Sequence, residues 1–279
     1  MGLERPPRAG AVQGLLTRPG GAPRAEANNG IVTTGMQYPD YRPDWNEVRT
    51  LITPRTRAIM INTPHNPTAT SWAAADMQAL AQLLRNTGIV LISDEVYEHM
   101  VFDNALHQSV ASYPELAERA FVISSFGKTY HVTGWKVAYC LAPAELMAEF
   151  RKAHQFVVFT VHTPSQHAIA RYMTLATHLA LPAFYQVKRD FFLNAVKKTR
   201  LRWLPSTATY FVSASYAHLP EYASMSDTDF AVLLTRQQRV ACIPLSAFYH
   251  DGVDHQVVRF CFAKKEATLS LAAKRLNML

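Results

Sequence analysis

Four side chains in this sequence could do covalent or ionic chemistry. Lys128 stands in Ser124-Ser125-Phe126-Gly127-Lys128-Thr129, where small residues let the backbone close on a phosphate and hydroxyls add donors. A lysine after a strand is ordinarily just solvated. Beside a second cation its charged form is disfavoured, which makes it a better nucleophile toward a carbonyl, and Lys136 could supply both that effect and a phosphate contact. Asp94 ends an apolar run. It reads as an N-cap, as an ion-pair partner or, buried under a pyridine ring, as the carboxylate that keeps the ring nitrogen protonated. Arg259 lies in the apolar run Val257-Val258-Arg259-Phe260-Cys261-Phe262, so its guanidinium must find an anion, either a structural Asp/Glu or a substrate carboxylate taken bidentately. Asn66-Pro67 taken alone is a turn signal.

The elements that must position these residues alternate between strand-like and helix-like. Ala58–Asn62, Ile89–Ser93 and Phe121–Ser124 are short apolar strands. Between them, Thr70 or Ser71 can cap a helix that runs to about Asn86 and stops at Gly88, and Pro114–Arg119 is a shorter helical pattern. Such units imply an α/β fold with a parallel or mostly parallel sheet covered on both faces. Asn62 to Asp94 spans 32 residues and Asp94 to Lys128 spans 34, each about one crossover. Each polar cluster therefore follows the C-terminal end of its strand, where open α/β sheets bind ligands, and Asn66, Asp94, Tyr97, Ser125 and Lys128 are expected in one crevice. Past Val137–Leu141 the pattern turns helical over Ala144–Phe156, Pro164–His178 and Ala183–Val196. A smaller α+β tail follows: strands at Thr209–Ser213, Val240–Leu245 and Val257–Phe262, and helices at Asp227–Gln238 and Glu266–Asn277.

Composition narrows the classes. With 279 residues, 49% hydrophobic and 18% charged, the chain has enough apolar surface for a packed core, and no apolar run reaches membrane-spanning length. Cys140, Cys242 and Cys261 fit buried thiols in a reducing, cytoplasmic compartment. The net charge is +7, but residues 1–25 carry Arg5, Arg8, Arg18 and Arg24 against Glu4 alone, and that Gly/Pro/Ala-rich stretch reads as disordered. The remaining excess is interspersed with acids, which excludes a nucleic-acid footprint. His154, His162 and His167 lack a metalloprotease-type HExxH spacing, and Asp94, Glu95, Glu98 and His99 read as a capped helix start, so no catalytic metal is expected. No Gly-rich dinucleotide loop or Walker sequence is present.

Taken together, NTPHNPTAT (62–70), SDEVYEHMVF (93–102), SSFGKTYHVTGWKVAYCLAP (124–143) and RFCFAKKEATL (259–269) resemble the fold-type I pyridoxal-phosphate aminotransferases of classes I and II, especially the methionine- and kynurenine-aminotransferase-like subgroup. The resemblance implies that Lys128 forms the Schiff base with pyridoxal phosphate and shuttles the proton between Cα and C4′. It implies Asp94 on the pyridine nitrogen, Asn66 and Tyr97 on O3′, Ser125 and Lys136 on the phosphate, and Arg259 on the substrate's α-carboxylate, with Asn66 beside it. It also implies amino-acid and 2-oxo-acid substrates and a homodimer. Ala69 stands where many relatives have glycine, as methionine-aminotransferase-like members can. The resemblance starts near Ala22, and Met1–Gly21 does not look like the family's N-terminal part, with its phosphate-holding turn, stacking aromatic and cross-dimer tyrosine. The expected organisation is a disordered 1–21, a partial large cofactor-binding domain over 22–180, and an interdomain helix with a small C-terminal domain over 181–279. Two other readings share the motifs: a truncated remnant acting by protein interaction, and a pyridoxal-phosphate C–S lyase that expels a Cβ substituent.

Overall fold

A computed structural model describes the backbone of residues 13–17 and residues 31–279. The chain runs through β1 (Gln13–Thr17), β2 (Ile31–Thr34), β3 (Met36–Gln37), β4 (Arg42–Pro43), α1 (Trp45–Leu51), β5 (Thr56–Asn62), α2 (Ala74–Leu84) and β6 (Val90–Asp94). It continues with α3 (Pro114–Ala117), β7 (Ala120–Ser125), α4 (Phe126–Thr129), β8 (Ala138–Leu141), α5 (Ala144–Val157), α6 (Thr163–Met173) and α7 (Leu181–Ala195). The last part holds β9 (Arg202–Trp203), β10 (Phe211–Ser215), α8 (Asp227–Leu233), β11 (Ile243–Pro244), β12 (Val257–Cys261) and α9 (Glu266–Leu276).

The main sheet has the order β2-β1-β5-β6-β7-β8. Its centre, β5-β6-β7, is parallel as expected, while β8, β1 and β2 join antiparallel, so the sheet is mixed. Strand β1 is a correction to the disorder expected over residues 1–21. Its backbone pairs with both β2 and β5 and so satisfies donors and acceptors that β5 would otherwise leave at an open edge. The rest of that expectation lies outside the described residues.

Ile59, Ile61, Leu91 and Val122 of this sheet pack with Met77, Leu80 and Leu84, the buried stripe of α2. Helix α2 starts later than expected. The Asp76 carboxylate accepts from the Ala73 amide at 2.9 Å and from Arg42 at 2.8 Å, which fixes the first turn. It ends where Asn86 takes φ +61°, ahead of Gly88.

The second sheet, β11-β12-β10-β9, is antiparallel. Its core joins Val212, Phe230, Phe260 and Leu269 with Tyr97, Met100 and Phe102, which come from the segment after β6. The segment leaving β6 thus contributes side chains to the second core, and the seam lies beside the strand ends. Arg189 of α7 reinforces that seam, donating to both Asp103 oxygens at 2.7 Å and to the Ser206 carbonyl at 2.9 Å. Three elements of the C-terminal half are shorter than the pattern predicts. Helix α6 stops before Ala176, which takes φ +49°; α8 ends in a π-turn before Arg239 at φ +54°; and β11 keeps two residues because Pro244 has no amide to donate.

Candidate active site

Asn62 and Asp94 are register partners at the C-terminal ends of β5 and β6, Asp94 faces Ile123 on β7, and Ser125 closes β7. The topology therefore gathers three strand ends. The Asp94 carboxylate accepts from the Val96 amide at 3.1 Å. Burial pushes its carboxyl above the ordinary range; the Val96 amide and the charge of Lys128 pull against that, and Glu95 adds to it. A half-buried carboxylate of this kind suits a cationic partner in a low dielectric. Past it the chain makes a turn, not the capped helix start expected from Asp94, Glu95, Glu98 and His99. The acids are occupied: Glu95 accepts from Ser93, His107 and the Val110 amide at 2.8–2.9 Å, and Glu98 accepts from Ser124 at 2.6 Å and from Tyr139.

Tyr97 is 2% exposed and packs edge-on to Tyr210 and Phe211, its hydroxyl donating to that of Tyr210 at 3.5 Å. Burial holds its phenol well above the ordinary value, with Arg259 opposing, so Tyr97 is a proton-bearing donor at neutral pH.

On the other flank, Ser125 caps the short α4, its Oγ accepting from the Gly127 amide at 3.1 Å and donating to the Val137 carbonyl at 3.4 Å. Gly127 is required there. A Cβ would lie 2.8 Å from Thr133 Cα, and the Gly127 carbonyl accepts from the Val132 amide at 3.0 Å and from Thr133 Oγ1 at 3.2 Å. That close turn folds 132–135 back over α4 and brings out Lys136, exposed and at φ +56°. Lys128 is half-buried, and neither lysine forms a hydrogen bond or ion pair with another described residue.

Arg259 sits in the middle of β12, opposite Ser213 and Ile243. Its guanidinium lies 4.0 Å from the Phe211 ring centre and 5.2 Å from that of Phe248. It donates to Asn66 Oδ1. Because a guanidinium only donates, this bond turns the Asn66 carbonyl toward Arg259 and leaves the Asn66 Nδ2 pointing elsewhere as a donor. Burial lowers the pKa of Arg259, and among the described residues no carboxylate pairs with it.

Of the expected residues, Asn66 and Arg259 are thus in contact, Tyr97 lies within electrostatic reach of both Arg259 and Asp94, and Lys128 within reach of Asp94. Ser125 flanks Lys128, while Lys136, exposed beyond the Gly127 turn, forms no hydrogen bond or ion pair with the others among the described residues. Sequence reasoning missed Asn62 and the rings of Tyr210, Phe211 and Phe248. Asn62 carried a signal, being a carboxamide at the end of an apolar strand. Among the described residues no group of three or more His, Cys, Asp or Glu could hold a metal ion.

Residues 25–276 match the family described as "Aminotransferase class I and II". The methionine aminotransferase of Escherichia coli (strain K12) is 48% identical over 261 residues, covering 92% of this chain and 67% of that protein. The kynurenine–oxoglutarate transaminase of Dictyostelium discoideum is 34% identical, covering 84% and 59%. The solved structure of YbdL from Escherichia coli, reported as a methionine aminotransferase, superposes with a TM-score of 0.84 at 49% identity, covering 88% of this chain and 64% of that one. The chain belongs to the class I and II aminotransferases. It spans between 59% and 67% of the length of these relatives.

The family depends on pyridoxal phosphate. The residues present fit that group. Asp94 is a desolvated carboxylate suited to a ring cation, Lys128 has no hydrogen-bond or ion-pair partner among the described residues, and Asn66 and Tyr97 are donors on the same seam. No helix among the described residues is long and apolar enough to cross a membrane.

Proposed function

We propose that this chain carries the site of an amino transfer between a methionine-like or aromatic amino acid and a 2-oxo acid, with pyridoxal phosphate attached at Lys128. The observation that carries this reading is Arg259: a buried guanidinium with no described carboxylate partner, tied to Asn66 and stacked on Phe211, needs an anion, and an amino acid brings one. Bound there, the cofactor would supply an electron-withdrawing ring and a carbon that accepts and returns the amino group.

The chain's own residues do the rest. Arg259 takes the α-carboxylate and so presents Cα to Lys128, whose amine moves the proton between Cα and C4′. Asp94 holds the proton on the ring nitrogen, while Asn66 Nδ2 and the Tyr97 hydroxyl donate to O3′. Ser125 and Lys136 bind the phosphate. The rings of Tyr97, Tyr210, Phe211 and Phe248 around the guanidinium support an apolar or aromatic substrate side chain, as do the activities named for the relatives. A homodimer is supported by Phe156 and Phe159, 85% and 87% exposed, and three free thiols support a cytoplasmic setting. The test is turnover by the purified chain supplied with pyridoxal phosphate, methionine, phenylalanine or kynurenine, and a 2-oxo acid. A new amino acid should form from at least one donor; no transfer from any of them overturns the proposal.

A further inference from the structure

Asn62 has no place in the roles above, yet it is 93% buried and makes both of its amide arms count. Its Nδ2 donates to the Asp94 carbonyl at 2.9 Å, and its Oδ1 accepts from the Asn66 amide at 3.1 Å. The Asp94 carbonyl also accepts from the Thr63 amide at 3.1 Å, so the ends of β5 and β6 are locked in register by a backbone bond and a side-chain bond together. Asn66 goes on to Arg259. The links therefore run from the Asp94 main-chain carbonyl through the Asn62 carboxamide to the Asn66 main-chain amide, and the Asn66 side chain bonds Arg259, which ties the residue whose carboxylate suits a ring nitrogen to the residue whose guanidinium suits a substrate carboxylate. Among the described residues no hydrogen bond joins the Asp94 and Arg259 side chains, and without the Asn62 carboxamide the Thr63 amide would be left as the bond from this turn to the Asp94 carbonyl, with the Asn66 end less firmly held.

We infer that Asn62 is a positioning residue that sets the spacing between the cofactor-ring end and the substrate-carboxylate end of the site. This rests on the reading of Asp94, Asn66 and Arg259 given under Proposed function. An aliphatic side chain of the same size would fill the space but leave the half-buried Asn66 amide without its acceptor. The turn would then relax to reach another acceptor, and the Asn66 carboxamide and Arg259 would move with it. Small displacements of positioning groups are costly because reacting atoms tolerate little misplacement.

Two measurements on the full chain separate this inference from the function proposal. In the chain without added cofactor, hydrogen exchange should show the Asn66 amide exchanging roughly tenfold faster in Asn62→Leu than in the parent, while the amides of 58–61 stay protected. Asn62→Asp keeps the acceptor for that amide and should retain its protection, which also covers the case in which Asn62→Leu fails to fold. Unchanged Asn66 exchange in Asn62→Leu, or equal loss of protection along the whole of β5, overturns the inference. With pyridoxal phosphate added, cofactor affinity and the pH midpoint of its visible absorbance are followed in Asn62→Leu, Asn66→Ala and the double variant. Asn62→Leu should weaken binding roughly tenfold and move the midpoint, and should cost much less when Asn66 is already alanine. Equal cost in both backgrounds would make Asn62 a structural residue only. If the parent takes no cofactor, the function proposal fails, and the exchange result alone decides the role of Asn62.

Discussion

Arg259 is buried between two rings and bonded to Asn66, while Lys136, at the other end of the site proposed above, is exposed and Lys128 touches no described hydrogen-bonding partner. The two ends solve different problems. A guanidinium inside the fold can be held only if its donors and its faces are occupied, so the sequence around it supplies Asn66, Phe211 and Phe248. A surface lysine is hydrated until a ligand arrives and needs no such support. The contrast teaches where binding energy should be concentrated, since a desolvated charge interacts far more strongly than a screened one.

The largest expected effect breaks the buried end. Arg259→Lys keeps a charge but loses the planar fork and the stacking on Phe211. A hydrogen bond to a charged group contributes about 1.5–3 kcal/mol, so kcat/KM for the amino acid should fall roughly 10- to 100-fold, while trapping of the cofactor at Lys128 persists. Steady-state kinetics beside an absorbance titration check this; unchanged kinetics would show that the guanidinium serves the fold alone.

A milder effect is expected at the exposed end. Lys136→Gln removes a hydrated charge, which in such settings contributes up to about 1 kcal/mol, so cofactor affinity should drop roughly fivefold or less. The loss should shrink further in high salt. A drop as large as that expected of Arg259→Lys for its own ligand would erase the distinction between the two ends.

The smallest effect concerns Ala69, which is fully buried and held at φ +63° in the turn between β5 and α2. Its carbonyl accepts from the amides of Thr207 and Ala208 at 2.9 and 3.0 Å, which joins the turn to the second core. Ala69→Gly relieves left-handed strain but loses a buried methyl and adds unfolded-state freedom; each of the three is worth about 1 kcal/mol, so one gain against two losses leaves a net loss of about 1 kcal/mol. Thermal melting should fall by no more than about 4 °C. A rise would mean that the strain is the dominant cost at this turn.

Much of the site is legible in the sequence because the fold places strand ends together. Once three apolar strands are spaced one crossover apart, Asn62, Asp94 and Ser125 must lie at one edge, and the motifs at 62–70, 93–102 and 124–143 fall there without any side-chain detail. What was not legible depends on packing between distant segments. The Asn66–Arg259 bond joins residues 193 apart, and nothing local in either segment announces it. Phe211 and Phe248 carry no local mark of a site, and only the packing of β12 against β10 and the 246–248 turn brings their rings to Arg259. The acids of the 94–99 segment were misread as a helix start because their partners, His107 and Tyr139, arrive from elsewhere in the chain. The antiparallel flanks of the main sheet were missed for the same reason, since only a neighbour decides the direction of an edge strand.

Every proposed role depends on which lysine carries the cofactor. The chain is incubated with pyridoxal phosphate, reduced with borohydride, digested and mapped by mass. A single pyridoxyl adduct on Lys128, abolished in Lys128→Ala and retained in Arg259→Lys, is the predicted result. An adduct on another lysine, or label spread across many of them, would contradict it.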